Sequence, residues 1–279
     1  MNKTLSLLYR LSVAALASGA LLLGGVAIAD EEEHGHMDAL VFQDAGKVQM
    51  GFIDVDCFGG AGEPGCDPDG EPGNNVYEAE LEGAGVPVGS TGTAEEPGFF
   101  AIPAAGAAAL PYGSVLPGNA AHSMDMVFGP SSIASNTSIL FWDGAGSVNW
   151  SGVPNGETFF IEGNGGSGGV LSGSSVLSGI DLDATDSNGF FDTHPDFTLN
   201  GGGSSNPTDG FYALFGVTNI AGLTSSDRWA VVFGFGPENE EAHEAAVENL
   251  ASIVPEPGTA FLMGLGLVGL AINGRRRHV

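Results

Sequence analysis

The chain has 279 residues and carries 34 acidic side chains against 7 lysines and arginines, a formal net charge of −27. Such an excess of carboxylate repels nucleic acid and anionic membrane and excludes both as partners of the body; divalent cations or a hydrated polysaccharide suit it, and so does plain solubility outside the cell. With 46 glycines between short apolar runs, the composition fits one β-rich domain or two small ones.

At the amino end, Lys3 and Arg10 precede an apolar run from Leu11 to Ile28, and Ala27-Ile28-Ala29 is a small-x-small cleavage site before Asp30. Residues 1–29 therefore read as an export signal peptide, with an uncleaved anchor helix as the other reading. The mature segment 30–254 keeps only Lys47 and Arg228 as fixed cations, and of the acidic residues only Glu256 lies outside it. Its first residues, Glu31-Glu32-Glu33-His34-Gly35-His36, could form a metal-scavenging arm.

Apolar and β-branched runs between turn residues predict strands at 47–55, 76–81, 123–128, 138–142, 157–162, 179–182, 196–199, 211–217 and 228–235. In the last, Trp229, Val231, Phe233 and Phe235 share one face and Ala230 and Val232 the other, so both faces should be buried. Its expected partner is 211–217, across the 219–227 turn. Cys57 and Cys66 bracket a Gly-rich loop and are expected to form a disulfide in an oxidising compartment, worth about 2–3 kcal/mol on the chain-entropy model. Two thiols reserved for a metal are the alternative. The Gly-rich stretches 61–75 and 163–178 read as loops, and the Ala/Gly/Pro-rich 83–109 as a long excursion or poorly ordered insert. No period of 20–50 residues suggests a repeat architecture. One helix is predicted, over 237–252, with Glu238, Glu240 and Glu241 at its positive end and Ala242, Ala246, Val247 and Leu250 as a narrow apolar stripe linking the body to the tail.

The fold class expected is all-β: a single β-sandwich or jelly-roll-like domain over 30–236, a helical linker over 237–254, and a tail over 255–279. Three places put an acid close behind a histidine: His36-Met-Asp38, His122-Ser-Met-Asp125 and His194-Pro-Asp196. Imidazole with carboxylate is a donor set that zinc accepts, so His34, His36, Asp38, His122, Asp125, His194 and Asp196 are the candidate ligands. Chance proximity among so many acids is the competing reading. Calcium is the second option, around Asp54, Asp56, Asp67, Asp69 and Glu71, or along Asp181–Gly189. The latter is not an EF-hand: with Gly189 at position 6, Ala184 and Pro195 occupy positions 1 and 12 and offer no carboxylate. Its alternative is an Asp/Asn/Gly turn satisfying its own backbone. Ser167 lies in a Gly-x-Ser-x-Gly match but has Gly-rich loop on both sides instead of the strand and helix of a nucleophile elbow. Trp142, Trp150 and Trp229 could stack on sugars or fill a core. No enzymatic activity is expected.

The tail has three parts in order. Val254-Pro255-Glu256-Pro257-Gly258 stops a helix, the run from Thr259 to Ile272 is apolar enough to enter a bilayer, and Arg275-Arg276-Arg277 holds the far end in the cytoplasm. This arrangement resembles the PEP-CTERM sorting signal of Gram-negative bacteria, whose partner is an exosortase. The resemblance implies export, a temporary inner-membrane anchor through this segment only, and delivery to the cell surface or extracellular space. Within the body, His194-Pro-Asp-Phe-Thr-Leu, Asp209-Gly-Phe-Tyr-Ala-Leu and Gly222-Leu-Thr-Ser-Ser-Asp227 with Trp229-Ala-Val-Val-Phe look like the closing half of choice-of-anchor and zinc-regulated PEP-CTERM domains. His34-Gly-His36-Met-Asp38 is similar to their opening. That resemblance implies a sandwich-like, zinc-handling domain with His36, Asp38, His122 and His194 as ligands, although the family's histidine-rich signature is reduced here to His194. The function expected is an exported surface or matrix protein that binds zinc or calcium without catalysis. The alternative is a structural or polysaccharide-binding component of the extracellular matrix.

Overall fold

A computed structural model of the protein describes residues 37–54, 75–83, 91–102, 115–203, 206–236 and 239–254. The leader, His34, His36, the Cys57–Cys66 pair, the acidic residues from Asp56 to Glu71 and the tail from Pro255 lie outside the described residues, as does the side chain of Asp54.

Within these bounds the chain is all-β with one helix. The strands are β1 Met37–Asp44, β2 Lys47–Asp54, β3 Val76–Glu80, β4 Gly92–Ala94, β5 Phe99–Ala101, β6 Ala121–Met126, β7 Ile139–Trp142, β8 Ser151–Gly152, β9 Thr158–Glu162, β10 Gly168–Ser172, β11 Leu177–Ala184, β12 Phe191–Thr193, β13 Asp196–Asn200, β14 Gly210–Ile220 and β15 Trp229–Phe235; the helix is α1, Glu240–Ala251. They form three sheets. The largest runs β11-β6-β14-β15-β3 with β7 and β8 branching from β14; the others run β12-β5-β1-β2 and β10-β9-β13-β4.

All nine predicted strands are present, and β14 pairs antiparallel with β15 from Gly210↔Phe235 to Gly216↔Trp229, as expected. Every residue of β15 is buried, because two layers cover it. On one face, Trp229, Val231, Phe233 and Phe235 meet the two four-stranded sheets across the main core. Phe233 lies 5.3 Å from Phe159 and 5.0 Å from Phe197, and Trp229 lies 5.5 Å from Phe99. On the other face, Ala230 and Val232 join Phe211, Ala213 and Phe215 under α1, which contributes Ala242, Ala246 and Leu250. The predicted helix is therefore docked on the large sheet. Asn239 caps it, its side chain accepting the Ala242 N–H at 3.2 Å.

Two expectations need correction. The stretch 163–178 is not only loop: it contains β10 and the start of β11. Gly168 has φ +142, and a Cβ there would strike the Ile161 carbonyl, so its glycine permits the close approach of β10 to β9 and does not break the strand. The stretch 83–109 contains β4 and β5, and β5 is an interior strand between β12 and β1. Three-residue strands leave no alternation to read, and their pairing comes from partners far along the chain.

Candidate metal centre

β5 runs parallel to β1, with Ala39 opposite Phe99, and antiparallel to β12, with Thr193 opposite Phe99. One step further along, the same register brings Asp38, Gly98 and His194 into a row across the three chains. Ala39 and Phe99 turn into the main core, so their neighbours Asp38 and Gly98 turn to the opposite face, because side chains alternate along a strand. Asp192 and His194, two residues apart, share that face.

Three donors converge there: one atom each from Asp38, Asp192 and His194, all within 4.8 Å of one another. His194 Nε2 is 3.5 Å from Asp192 Oδ1 and 4.0 Å from Asp38 Oδ2. The other ring nitrogen, Nδ1, lies 3.2 Å from the Glu95 carbonyl. A carbonyl only accepts, so Nδ1 carries the proton and Nε2 is the nitrogen left to face the carboxylates. Imidazole ligands of metals are oriented in this way, by a carbonyl holding the far N–H. Glu96 lies on the same side, with Oε1 3.8 Å from Nδ1 and Oε2 accepting the Gly98 N–H at 3.1 Å.

Asp38 is only 1% exposed, and its Oδ1 has no hydrogen-bond partner among the described residues. Burial raises its pKa to about 6; the nearby His194 pulls it back, while the charges of Glu96 and Asp192 and a side-chain hydrogen bond with Glu96 push it further up. A buried carboxylate facing a second carboxylate is costly, and a divalent cation would lower that cost. Donors about 2.1 Å from a tetrahedral ion stand about 3.4 Å apart; the 3.5 Å between His194 and Asp192 matches this, and Asp38, at 4.0 Å from His194, would close in by about half an ångström.

Gly98 makes the convergence possible. A Cβ at this position would collide with Asp38 Oδ1 and come within 2.5 Å of His194 Cε1 and 2.8 Å of Nδ1. Sequence reasoning missed Gly98, Asp192 and Glu96. The pattern Asp192-Thr193-His194 carried a signal, since residues i and i+2 share a face once the segment is read as a strand.

Among the sequence candidates, the structure brings Asp38 and His194 together and leaves the other described ones elsewhere. His122 is fully buried in the core, its ring 4.2 Å from Phe191 and 6.1 Å from Phe99. Asp125 is occupied structurally, accepting from Gly179 N at 2.7 Å and Asn219 Nδ2 at 3.0 Å. Asp196 is exposed on β13, opposite Glu162 in another sheet. Asp186 accepts the backbone N–H groups of Asn188 and Phe190, which lower its pKa; residues 181–184 belong to β11, and the 186–189 end of the segment is a self-satisfied turn. Ser167 Oγ clips its loop to β11, donating to the Asp181 carbonyl and accepting the Asp181 N–H. Trp142, Trp150 and Trp229 are all buried and present no stacking face.

Residues 254–277 match the PEP-CTERM protein-sorting motif. The chain is thus an exported protein, processed through an exosortase and held transiently at the membrane before it reaches the cell surface. No curated protein matches the chain. Among the described residues no helix is long and apolar enough to cross a membrane.

Proposed function

We propose that the exported body is a non-catalytic divalent-cation module, with the ion held by Asp38, Asp192 and His194 on the outer face of the β12-β5-β1-β2 sheet. The observation that carries this reading is the buried, unpartnered Asp38 oxygen beside an imidazole nitrogen and a second carboxylate. The donor set favours zinc over calcium: calcium takes six to eight oxygens, whereas an imidazole with two carboxylates is a zinc-type set of three. Asp192 and His194 are exposed enough for an ion to enter from solvent.

The test is elemental analysis of the full chain after equilibration with zinc and gel filtration. One equivalent of zinc is expected for the wild type, with affinity reduced about 100-fold or more in His194→Ala and in Asp38→Asn. His122→Ala serves as a control that keeps its zinc. Wild-type protein free of metal, or loss of metal in the His122 variant alone, would reject the assignment.

A further inference from the structure

The sorting motif opens at residue 254, and Val254 still belongs to the folded body. It is 5% exposed in the layer beneath α1, and its N–H donates to the Leu250 carbonyl at 2.9 Å. Pro255-Glu256-Pro257 follows at once, so no spacer separates the signal from the acidic body. A membrane-bound processing enzyme must reach that segment. The nearest source of reach is α1: residues 239–254 are short while helical but can extend to roughly 50 Å when released.

What holds α1 down is limited. Its contact with the sheet relies on Ala242, Ala246, Leu250 and Val254, with Val247 and Ala251 partly buried beside them, and on a hydrogen bond from Trp150 Nε1 to Asn249 Oδ1 at 3.1 Å. In its first turn sits His243, its side chain only 8% exposed, with Nδ1 2.8 Å from Glu80 Oε1 and Nε2 3.0 Å from the Val232 carbonyl. Both partners are acceptors, so both nitrogens donate and the ring is the imidazolium ion. Phe211 lies 5.2 Å away, within cation–π range. Gly234, opposite Glu80 in the ladder, completes the arrangement: a Cβ there would come within 2.5 Å of both Glu80 oxygens, so a side chain would push the carboxylate off its path to the histidine.

We propose that α1 is a releasable strap, latched to the sheet by a charged His243 and freed when that charge is lost, and that its release supplies the spacer through which the sorting motif reaches its enzyme. The charged groups around the ring are Glu80 and Glu78 from β3 and the helix's own Glu240, Glu241 and Glu244; β14 and β15 offer none. All favour the cation. Burial by itself lowers the histidine's pKa, but the hydrogen bonds to Glu80 and Val232, with the charges of Glu80 and Glu78, outweigh it and raise the pKa above the ordinary 6.5. A raised value means the latch is fully set below about pH 6.5 and fails as pH climbs through the higher folded-state value. The proposal depends on the sorting motif alone and is independent of the metal centre.

Hydrogen exchange of the full, unprocessed chain tests the latch, with α1 rates normalised to those of β14 and β15. Protection of α1 should fall about tenfold or more between pH 5.5 and pH 8.5 in the wild type. It should be low and insensitive to pH in His243→Gln and Glu80→Gln; the latter alters only a largely exposed side chain and leaves the core intact. In pulse–chase of exporting cells held at pH 5.5, Glu80→Gln and the undocking variant Ala246→Glu should be processed faster than the wild type. Protection of α1 that ignores pH in the wild type, or variants processed no faster than the parent, would overturn the proposal.

Discussion

His122 is a histidine in an apolar setting: fully buried, packed between Phe99 and Phe191, with neither ring nitrogen paired among the described residues. Burial holds its pKa down at about 3, so it stays neutral when folded and takes up a proton on unfolding below about pH 6.5. The unfolded state then binds the extra proton, and stability falls as pH drops from about 6.5 towards 3, by about 1.4 kcal/mol per pH unit at most. Asp38 acts in the opposite sense between about pH 4 and 6, since its raised value makes the folded state the better proton binder there. The comparison with a variant isolates the histidine. His122→Phe keeps the aromatic contacts and removes two unsatisfied nitrogens; it should be more stable than the parent at pH 5 by about 1–3 kcal/mol, a gain that shrinks towards pH 7.5. Urea unfolding of metal-free protein at the two pH values checks this, and an unchanged difference would show that His122 does not titrate on unfolding. Nothing in the sequence around residue 122 separates this histidine from His194. Both precede an acid, and only the choice of strand face, core for one and outer surface for the other, distinguishes ligand from filler.

At the scale of elements, β14 and β15 were the most legible, while β1, the Gly-rich β10 and the strands of two or three residues, β4, β5, β8 and β12, were not foreseen. β14 and β15 show their faces in the alternation of Phe211, Ala213 and Phe215 against Tyr212 and Leu214, and of Trp229 and Val231 against Ala230 and Val232. β1 escaped because Ala39, Leu40, Val41 and Phe42 are all buried, a continuous run without a countable period. Its turn was also silent. β1 and β2 are joined by the two-residue loop Ala45-Gly46, with φ of +48 and +79, closing the register Asp44↔Lys47. That conformation usually announces itself as Asn-Gly, and alanine at the first position carries no such signal. It also carries a steric cost of about 1 kcal/mol. Ala45→Gly should therefore raise stability by about 0.5–1 kcal/mol, and Ala45→Val should lower it, as read from denaturant midpoints at constant m-value. Equal midpoints for all three would mean that the hairpin turn is relaxed differently in solution.

At the scale of the molecule, the β14–β15 hairpin could be read from the sequence, but the pairings between distant segments could not. β3 lies parallel to β15 and β1 parallel to β5, pairings between segments with no local connection, and the metal cluster exists only because of the second of these. An ion there would tie β1, the first described strand, to β12 through residues about 150 positions apart, and it would bind the folded state alone. By linkage, zinc at 100 times its dissociation constant should stabilise the fold by about 2.7 kcal/mol. It would also place two positive charges on a body with very few of its own, which lowers self-repulsion as well. Gly98→Ala is the discriminating variant: its methyl group displaces Asp38 and His194 from each other without removing a single donor. Calorimetry of the wild type should show a melting temperature several degrees higher in excess zinc than in chelator, and the Gly98→Ala protein should melt at the same temperature in both. An equal zinc response in the two proteins would place the bound ion somewhere other than over Gly98, and the absence of any response in the wild type would remove the metal from the account of this fold.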